Sequence, residues 1–277
     1  MHASVNPQYS PYVLVTGGSS GIGRATATAL AKIGYTVYAT SRHCEETTEN
    51  YGDGGKIINR RMDVTDRASV ERVVDSIPKL GIVVHCAGFG VAGSCEMMPL
   101  DRARAQMETN YFGVLNVNNV VLPRLRENDK SLCVVIGSVA GFIGIPFQSH
   151  YSSSKYALEG YIECLRMEGE PFGIQASIVE PGDTKTGFTG MRTHDEPADS
   201  PYLDICEKAV GQMAKDEENG VPASKVADVV VKIVGKKRPP IRKVVGADYT
   251  LVYWLKRLVS NRVMEIALKQ IYLGGAK

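Results

Sequence analysis

The sequence predicts a single α/β domain, a doubly wound and mostly parallel seven-stranded sheet flanked by helices, followed by a helical extension. Three observations predict it. Short apolar runs rich in β-branched residues alternate along the chain with segments of helical spacing, the pattern of βαβ units. Those runs are apolar at successive positions rather than at alternate ones, so their strands are buried on both faces, as parallel strands are. The first run leads directly into a glycine-rich turn that opens a helix.

The elements follow in order. Tyr12 to Thr16 (YVLVT) is the first strand, and Gly21 to Ile33 the first helix. Tyr35 to Thr40 is the second strand, and Ile57 to Met62, after a Gly-rich turn, the third. Ser69 to Ile77 is helical, with Asp66 as a candidate N-cap. Gly81 to Cys86 is the fourth strand, stopped by Ala87-Gly88. A long helical pattern over Leu100 to Arg126 leads to a fifth strand, Leu132 to Ile136. Another helix, Ser149 to Glu170, leads to a sixth strand, Ile174 to Val179, which Pro181-Gly182 ends. Asp183 to Pro201 is polar and without period, too long for a plain connection, and is a candidate lid or binding loop. Ser224 to Val234 is a further helix and Arg242 to Val245 the seventh strand. The core is placed at 12–245 and the extension at 248–277, in one domain spanning 1–277.

Composition excludes several classes. With 277 residues, 44% hydrophobic and 22% charged, the chain can bury a sizeable core. A formal charge of +2 is no nucleic-acid signature, although 236–277 carries ten basic residues against only Asp248 and Glu265. Six cysteines, none in a C-x-x-C pair, read as reduced thiols of a cytoplasmic protein. The opening Met1-His2-Ala3-Ser4 has no signal-peptide character, and no apolar run is long enough to span a membrane. His85 has no companion at metal-ligand spacing, so no metal is expected.

The turn after the first strand reads Thr16-Gly17-Gly18-Ser19-Ser20-Gly21-Ile22-Gly23. Glycines let the backbone approach a pyrophosphate, and the helix start offers unpaired N–H groups at its positive end. This is the dinucleotide site of a Rossmann-type fold. At the end of the second strand, Ser41-Arg42 stands where NAD-binding folds place an acid, and no acid occurs from Tyr35 to His43. A guanidinium suits a 2′-phosphate, so the expected cofactor is NADP(H). Tyr151 and Lys155 lie one turn apart on a single helix face.

The spacing T-G-x-x-x-G-x-G at Thr16, Gly17, Gly21 and Gly23, together with Ser138, Tyr151-x-x-x-Lys155 and Asn110 in that order, resembles the short-chain dehydrogenase/reductase family, non-extended branch, over Tyr12 to Val245. The resemblance implies Tyr151 as general acid/base, with Ser138 bonded to the substrate oxygen. It implies that Lys155 holds the nicotinamide ribose and lowers the tyrosine's pKa together with an oxidised nicotinamide, and that Asn110 maintains a water relay behind Lys155. It pairs Asp63-Val64 with the adenine, and Pro181-Gly182 with Thr184 and Thr186 near the carboxamide. Cys86-Ala87-Gly88 stands where the family usually has Asn-Ala-Gly. Ala87 and Gly88 still allow close passage of the cofactor, but Cys86 offers no amide hydrogen bonds to tie the sheet centre.

The expected substrate walls are Ala140 to Gln148, mostly apolar over Gly141 to Phe147, the loop after Thr186, and Phe89 to Ser94, which favours a lipophilic carbonyl or alcohol: a steroid, retinoid or aromatic ketone, as for a carbonyl reductase or hydroxysteroid dehydrogenase. Reduction of a 3-oxoacyl thioester is the alternative. It needs a basic docking surface for an acidic carrier, for which Arg102, Arg104, Arg124 and Arg126 are candidates. A non-catalytic nucleotide-binding regulator has no use for Ser138, Tyr151 and Lys155. The two long helices resemble the family's dimer interface, which implies a homodimer or homotetramer. In the extension, Leu251, Trp254, Leu255, Leu258, Val259, Val263, Ile266, Ala267 and Ile271 follow helical spacing, with Ser260-Asn261 as a break. Such a tail resembles the retinol and 17β-hydroxysteroid dehydrogenase branch. It fits three readings: a cover for the substrate cleft, a subunit contact, or a peripheral membrane contact through a basic amphipathic helix.

Overall fold

The computed structural model describes residues 4–274. The residues read for a leader, 1–3, and the last three of the extension, 275–277, lie outside the described residues. β1 (Tyr12–Thr16) feeds α1 (Gly21–Lys32), then β2 (Thr36–Ser41), β3 (Thr48–Asn50), β4 (Lys56–Arg61), α2 (Arg67–Asp75) and β5 (Leu80–His85). A two-residue strand, β6 (Val91–Ala92), precedes α3 (Leu100–Met107), a π-helical stretch at Glu108–Phe112, and α4 (Gly113–Leu125). Then come β7 (Ser131–Ile136), α5 (Ser149–Gly169) and β8 (Ile174–Pro181). The segment read as a lid carries β9 (Thr184–Lys185), α6 (Phe188–Met191) and β10 (Thr193–His194). α7 (Leu203–Glu218), β11 (Val221–Pro222), α8 (Ala223–Val234), β12 (Arg242–Val245), α9 (Ala247–Leu258) and α10 (Asn261–Leu273) complete the chain.

The main sheet runs β12-β8-β7-β5-β1-β2-β4-β3, parallel throughout except for β3. The seven predicted strands are its parallel members. The eighth, Thr-Glu-Asn, carries no apolar residue and is held as an antiparallel edge by pairing with β4 alone. One sheet face packs on Val70, Val73 and Val74 of α2, Val117 and Val121 of α4, and Leu158 and Ile162 of α5. The other packs on Ala27 and Leu30 of α1 and Val226 and Val230 of α8. Sandwiching between two helix layers is why the strands are apolar at every position.

The chain leaves β1 toward β2, β4 and β3, then returns to place β5 on the other side of β1. The strand order reverses there, and the loops after β1 and β5 open a crevice at the carboxyl end of the sheet, where ligands bind in such folds. The helix predicted as one piece over Leu100 to Arg126 is wound as a π-helix at Glu108–Phe112, a feature that apolar spacing does not encode. The sequence reading had no element at α7, where Glu, Lys and Asp interrupt the apolar spacing and only Cys206, Ala209 and Met213 are buried.

Candidate active site

The crevice holds a cavity of about 220 Å³. One wall is the loop after β1. Gly17 adopts φ 65°, and a Cβ there would stand 2.8 Å from the Ala87 nitrogen; a Cβ at Gly23 would stand 2.1 Å from the Gly17 oxygen. Only glycine fits two backbones packed this closely. Ser20 precedes α1 in an extended conformation without capping the helix, and the first turn carries no acid. The opening N–H groups of α1 therefore face the cavity at the positive end of the helix, beside Ser19, Ser20, Gly21 and Ile22. The pyrophosphate of a dinucleotide fits this arrangement.

Thr16 does not line the cavity. It lies beneath, fully buried, and its hydroxyl accepts from the N–H groups of Cys86 (3.1 Å) and Ala87 (3.2 Å). The sheet centre, which Cys86 cannot tie with an amide, is thus tied by the threonine of the glycine motif. Burial pushes the Cys86 thiol up to about 12, so it stays protonated, while Cys86, Ala87 and Gly88 all line the cavity.

Ser138, Tyr151 and Lys155 meet on the opposite wall. The Ser138 oxygen accepts from the Ala140 N–H (3.1 Å), which leaves its own hydrogen free to donate. Lys155 is buried, donates to the Ile136 carbonyl (3.0 Å), and places its ammonium nitrogen 5.6 Å from the Tyr151 ring centre. Burial raises the Tyr151 phenol to about 12; the Ser138 hydrogen bond and Arg192 oppose this, and Glu217 adds to it. Burial brings Lys155 down to about 8, against the charge of Glu159. The lowering of the phenol expected from Lys155 is therefore not met by the chain's own groups, because desolvation of the phenolate outweighs them.

Asn110 sits in the π-helical stretch, behind the cavity. Its amide hydrogens are committed to the Phe89 carbonyl (3.0 Å) and the Ser154 hydroxyl (3.1 Å), and its oxygen accepts from the Phe89 N–H (3.0 Å). It fixes the chain leaving β5 against α5. Pro181, Gly182, Thr184 and Thr186 line the cavity below the lid segment. Ser41 and Arg42 lie outside the cavity at the end of β2, where Arg42 is exposed and the Ser41 hydroxyl is buried without a partner. Asp63 spends its carboxylate on the Thr65 N–H (2.9 Å) and hydroxyl (2.8 Å), and Val64 packs against Gly113. Asp66 caps α2 through the Ala68 N–H. His85 is buried against Asn118 (2.9 Å), with burial driving its pKa down to about 4, so it is a neutral packed residue. Among the described residues no cluster suited to a metal ion occurs.

Residues of two expected substrate walls, Ala140 to Gln148 and the loop after Thr186, line the cavity, whereas Glu217 escaped the sequence reading. Gln148 and Ile145 line it, and Phe147 before Gln148 is the one described non-glycine residue with positive φ (59°), its carbonyl accepting from Gly93 (3.0 Å). Phe188 stands with its ring 5.8 Å from that of Tyr151, and Glu217 reaches in from α7, where it pairs with Arg192 and accepts from Thr189. The lid segment is pinned to the β6 wall. Buried Glu196 accepts from the N–H (2.6 Å) and hydroxyl (3.1 Å) of Ser94, and Arg102 pairs with Asp195 (2.7 Å). Arg124 donates to the Ile77 carbonyl (2.9 Å), so two of the four arginines considered for carrier docking have internal partners. Tyr249 of α9 covers Gly182 and donates to Asp183, which brings the extension against the cavity rim.

The family profile described as short chain dehydrogenase matches residues 11–197. The chain is 35% identical over 267 residues to a 3-ketodihydrosphingosine reductase of Bacteroides thetaiotaomicron, covering 94% of this chain and 97% of the relative. It is 32% identical over 273 residues to retinol dehydrogenase 8 of Bos taurus, with coverage of 89% and 85%. A short-chain dehydrogenase structure from Streptomyces avermitilis superposes with a TM-score of 0.77 at 26% identity, covering 96% of this chain and 99% of that one.

Proposed function

The chain belongs to the short-chain dehydrogenase family, oxidoreductases that use a nicotinamide cofactor, and we propose that it interconverts a carbonyl and an alcohol on a lipophilic substrate with NADP(H). One observation carries the proposal: Ser138, Tyr151 and Lys155 converge on one wall of a cavity whose other wall is the glycine loop and the uncapped start of α1. When bound, the cofactor supplies or accepts the hydride. Tyr151 donates a proton to the carbonyl oxygen in reduction and removes one from the alcohol in oxidation. The free hydrogen of Ser138 bonds that same oxygen and fixes it beside the phenol. Lys155 keeps two of its three hydrogens for the ribose, since one is spent on Ile136. A phenol held up at about 12 is fully protonated at neutrality, which suits it to reduction. Asn110 positions this wall through Phe89 and Ser154 and, by resemblance, supports proton resupply behind Lys155.

NADP(H) rather than NAD(H) is supported by exposed Arg42 and by the lack of an acid at the end of β2. A lipophilic substrate is supported by Val139, Ile145 and Phe188 on the substrate side of Tyr151 and by two relatives whose names denote lipid-like substrates. Six unpaired cysteines suit a reducing, cytoplasmic setting, and among the described residues no helix is long and apolar enough to cross a membrane. We place a homo-oligomer contact on the long helices, where Phe112 and Met167 are 46% and 67% exposed; sedimentation as a 30.1 kDa monomer overturns it.

The test is NADPH oxidation with steroid ketones, retinal, aromatic ketones, a long-chain amino ketone and acetoacetyl thioester, each repeated with NADH and with Tyr151→Phe. The expected result is turnover of a bulky apolar ketone, and its loss by roughly two to four orders of magnitude in the variant, which still binds NADPH. Unchanged turnover in Tyr151→Phe refutes the mechanism, and turnover of the thioester alone refutes the substrate class.

A further inference from the structure

The apolar stripe that the sequence places on the extension turns out not to be the side that packs on the domain. Tyr249, Val252 and Tyr253 of α9 and Met264 and Leu268 of α10 cover Val139, Phe142, Ile143 and Val244. The stripe faces outward: Leu251, Trp254, Leu255 and Leu258 on α9 are 60%, 54%, 41% and 81% exposed, and Val263 and Ile266 on α10 are 52% and 60% exposed. Both helices are thus apolar on two sides, and exposed apolar residues gathered in this way mark a contact surface.

Charge selects the occupant. Arg257 and Arg262 are exposed around this face, Arg257 lying 4.5 Å above the Tyr253 ring and 5.6 Å from that of Trp254. One of the two acids, Glu265, is neutralised by Lys269 (2.5 Å). A second copy seated on the same face would set cations against cations, whereas an anionic surface complements them. Neither helix can span a bilayer: at 12 and 13 residues each is only about 18–20 Å long, against an apolar thickness of about 30 Å. A helix pair with an outward apolar face flanked by two arginines is suited to lie in the headgroup layer instead.

We propose that the outer face of α9 and α10 docks the protein on an anionic lipid bilayer, with Trp254, Leu255 and Leu258 inserted and Arg257 and Arg262 at the headgroups. The same α9 seats Tyr249 on Gly182 and Asp183 at the cavity rim, so docking brings the cleft next to the lipid. The proposal does not depend on the substrate class argued above.

Trp254 is the sole tryptophan of the chain and lies on the docking face, so it reports contact without labelling. The full-length protein is titrated with vesicles of phosphatidylcholine plus phosphatidylglycerol and with phosphatidylcholine alone, following Trp254 emission, quenching by brominated lipid, and co-sedimentation. The expected result is a blue shift, quenching and sedimentation with the anionic vesicles, weakened by salt. Arg257→Gln with Arg262→Gln should bind roughly 25-fold more weakly, and Leu255→Glu with Leu258→Glu should not bind. All four positions are solvent-exposed and outside the cavity, so thermal unfolding and NADPH binding should match the parent. Unchanged emission with anionic vesicles overturns the proposal, as does undiminished binding by the glutamate variant. So does a parent dimer that the glutamate variant dissociates, because the face then belongs to a second copy.

Discussion

Replacing Glu180 by Gln should make stability less dependent on pH between about 5 and 8. Glu180, at the end of β8, is fully buried, and Arg242 of β12 is its cation, Nε to Oε2 at 3.3 Å. The same guanidinium serves Glu159 of α5, donates to the Tyr253 hydroxyl (3.1 Å), and lies 3.3 Å from Glu163. One cation thus faces two buried carboxyls, and a buried pair of like charges cannot both ionise cheaply. Burial first, then the Glu159 charge, pushes Glu180 from 4.5 up to about 8. Between those values the folded state keeps a proton that the unfolded state has released. Stability therefore falls as pH rises through this window, by about 1.4 kcal/mol per unit at most. Because the proton is shared across the pair, a loss of about 2 kcal/mol between about pH 5.5 and 7.5 is the expected size, or roughly 4–8 °C in Tm. Gln keeps the volume and donates permanently to Glu159 as the protonated acid does. Urea unfolding and calorimetry across the range should show the parent losing this increment and Glu180→Gln retaining it. Parallel curves for the two proteins would mean that Glu180 is ionised throughout and that Arg242 stabilises both carboxylates.

Thr16→Val leaves the half-buried Ala87 N–H without its partner, while Cys86 keeps a bond to the Thr16 carbonyl (3.2 Å); a loss of about 1 kcal/mol in denaturant unfolding is expected, and none would mean the hydroxyl does not tie β1 to β5. Arg42→Ala should raise the KM for NADPH by about tenfold to a hundredfold and leave that for NADH unchanged; equal effects on both would remove Arg42 as the phosphate reader. Ketone reduction should weaken as pH rises through about 8, where Lys155 loses its charge, and Tyr151 should set no limb below that; a profile flat to pH 10 contradicts the burial of Lys155. Gly182→Ala puts a Cβ 2.0 Å from the Tyr249 ring and should loosen α9 by about 1–3 kcal/mol, read as faster proteolysis of the extension; an unchanged rate would show that α9 is held elsewhere.

The parallel strands and the glycine loop were legible because both are local. A strand buried on both faces writes itself as an unbroken apolar run, and a backbone so close that a Cβ would stand 2.1 Å from its oxygen writes itself as glycine. Tyr151, Lys155 and Ser138 were legible through spacing and context, and they do share one wall. What stayed hidden depends on distant chain. β3 has a strand's geometry only through pairing with β4. Glu217 enters the cavity because α7, unassigned from sequence, packs beneath the lid segment. The extension was legible as two helices broken near Ser260-Asn261, yet its orientation was not. Apolar residues occupy both sides of α9, and only the tertiary contacts say that Tyr249, Val252 and Tyr253 turn inward.

That inward side joins the extension to the chemistry by two routes. Tyr249 donates to Asp183 and covers Gly182, so the first turn of α9 braces the strand end that lines the cavity. Tyr253 accepts from Arg242, Arg242 holds Glu159, and Glu159 lies one helical turn past Lys155 on α5, where its charge favours the ammonium. Besides the direct packing of α9 on Val139 and Phe142, a change at its outer face can thus reach the Tyr151 wall through Asp183 or through the Glu159–Arg242 pair. The two routes are separable: loss of the first alters the cavity rim, whereas loss of the second removes a charge that helps keep Lys155 protonated. A substitution at Tyr253 that shifts the pH limb of Lys155 without changing cofactor KM would show the second route in use, and an unshifted limb would leave Arg242 a purely structural bolt.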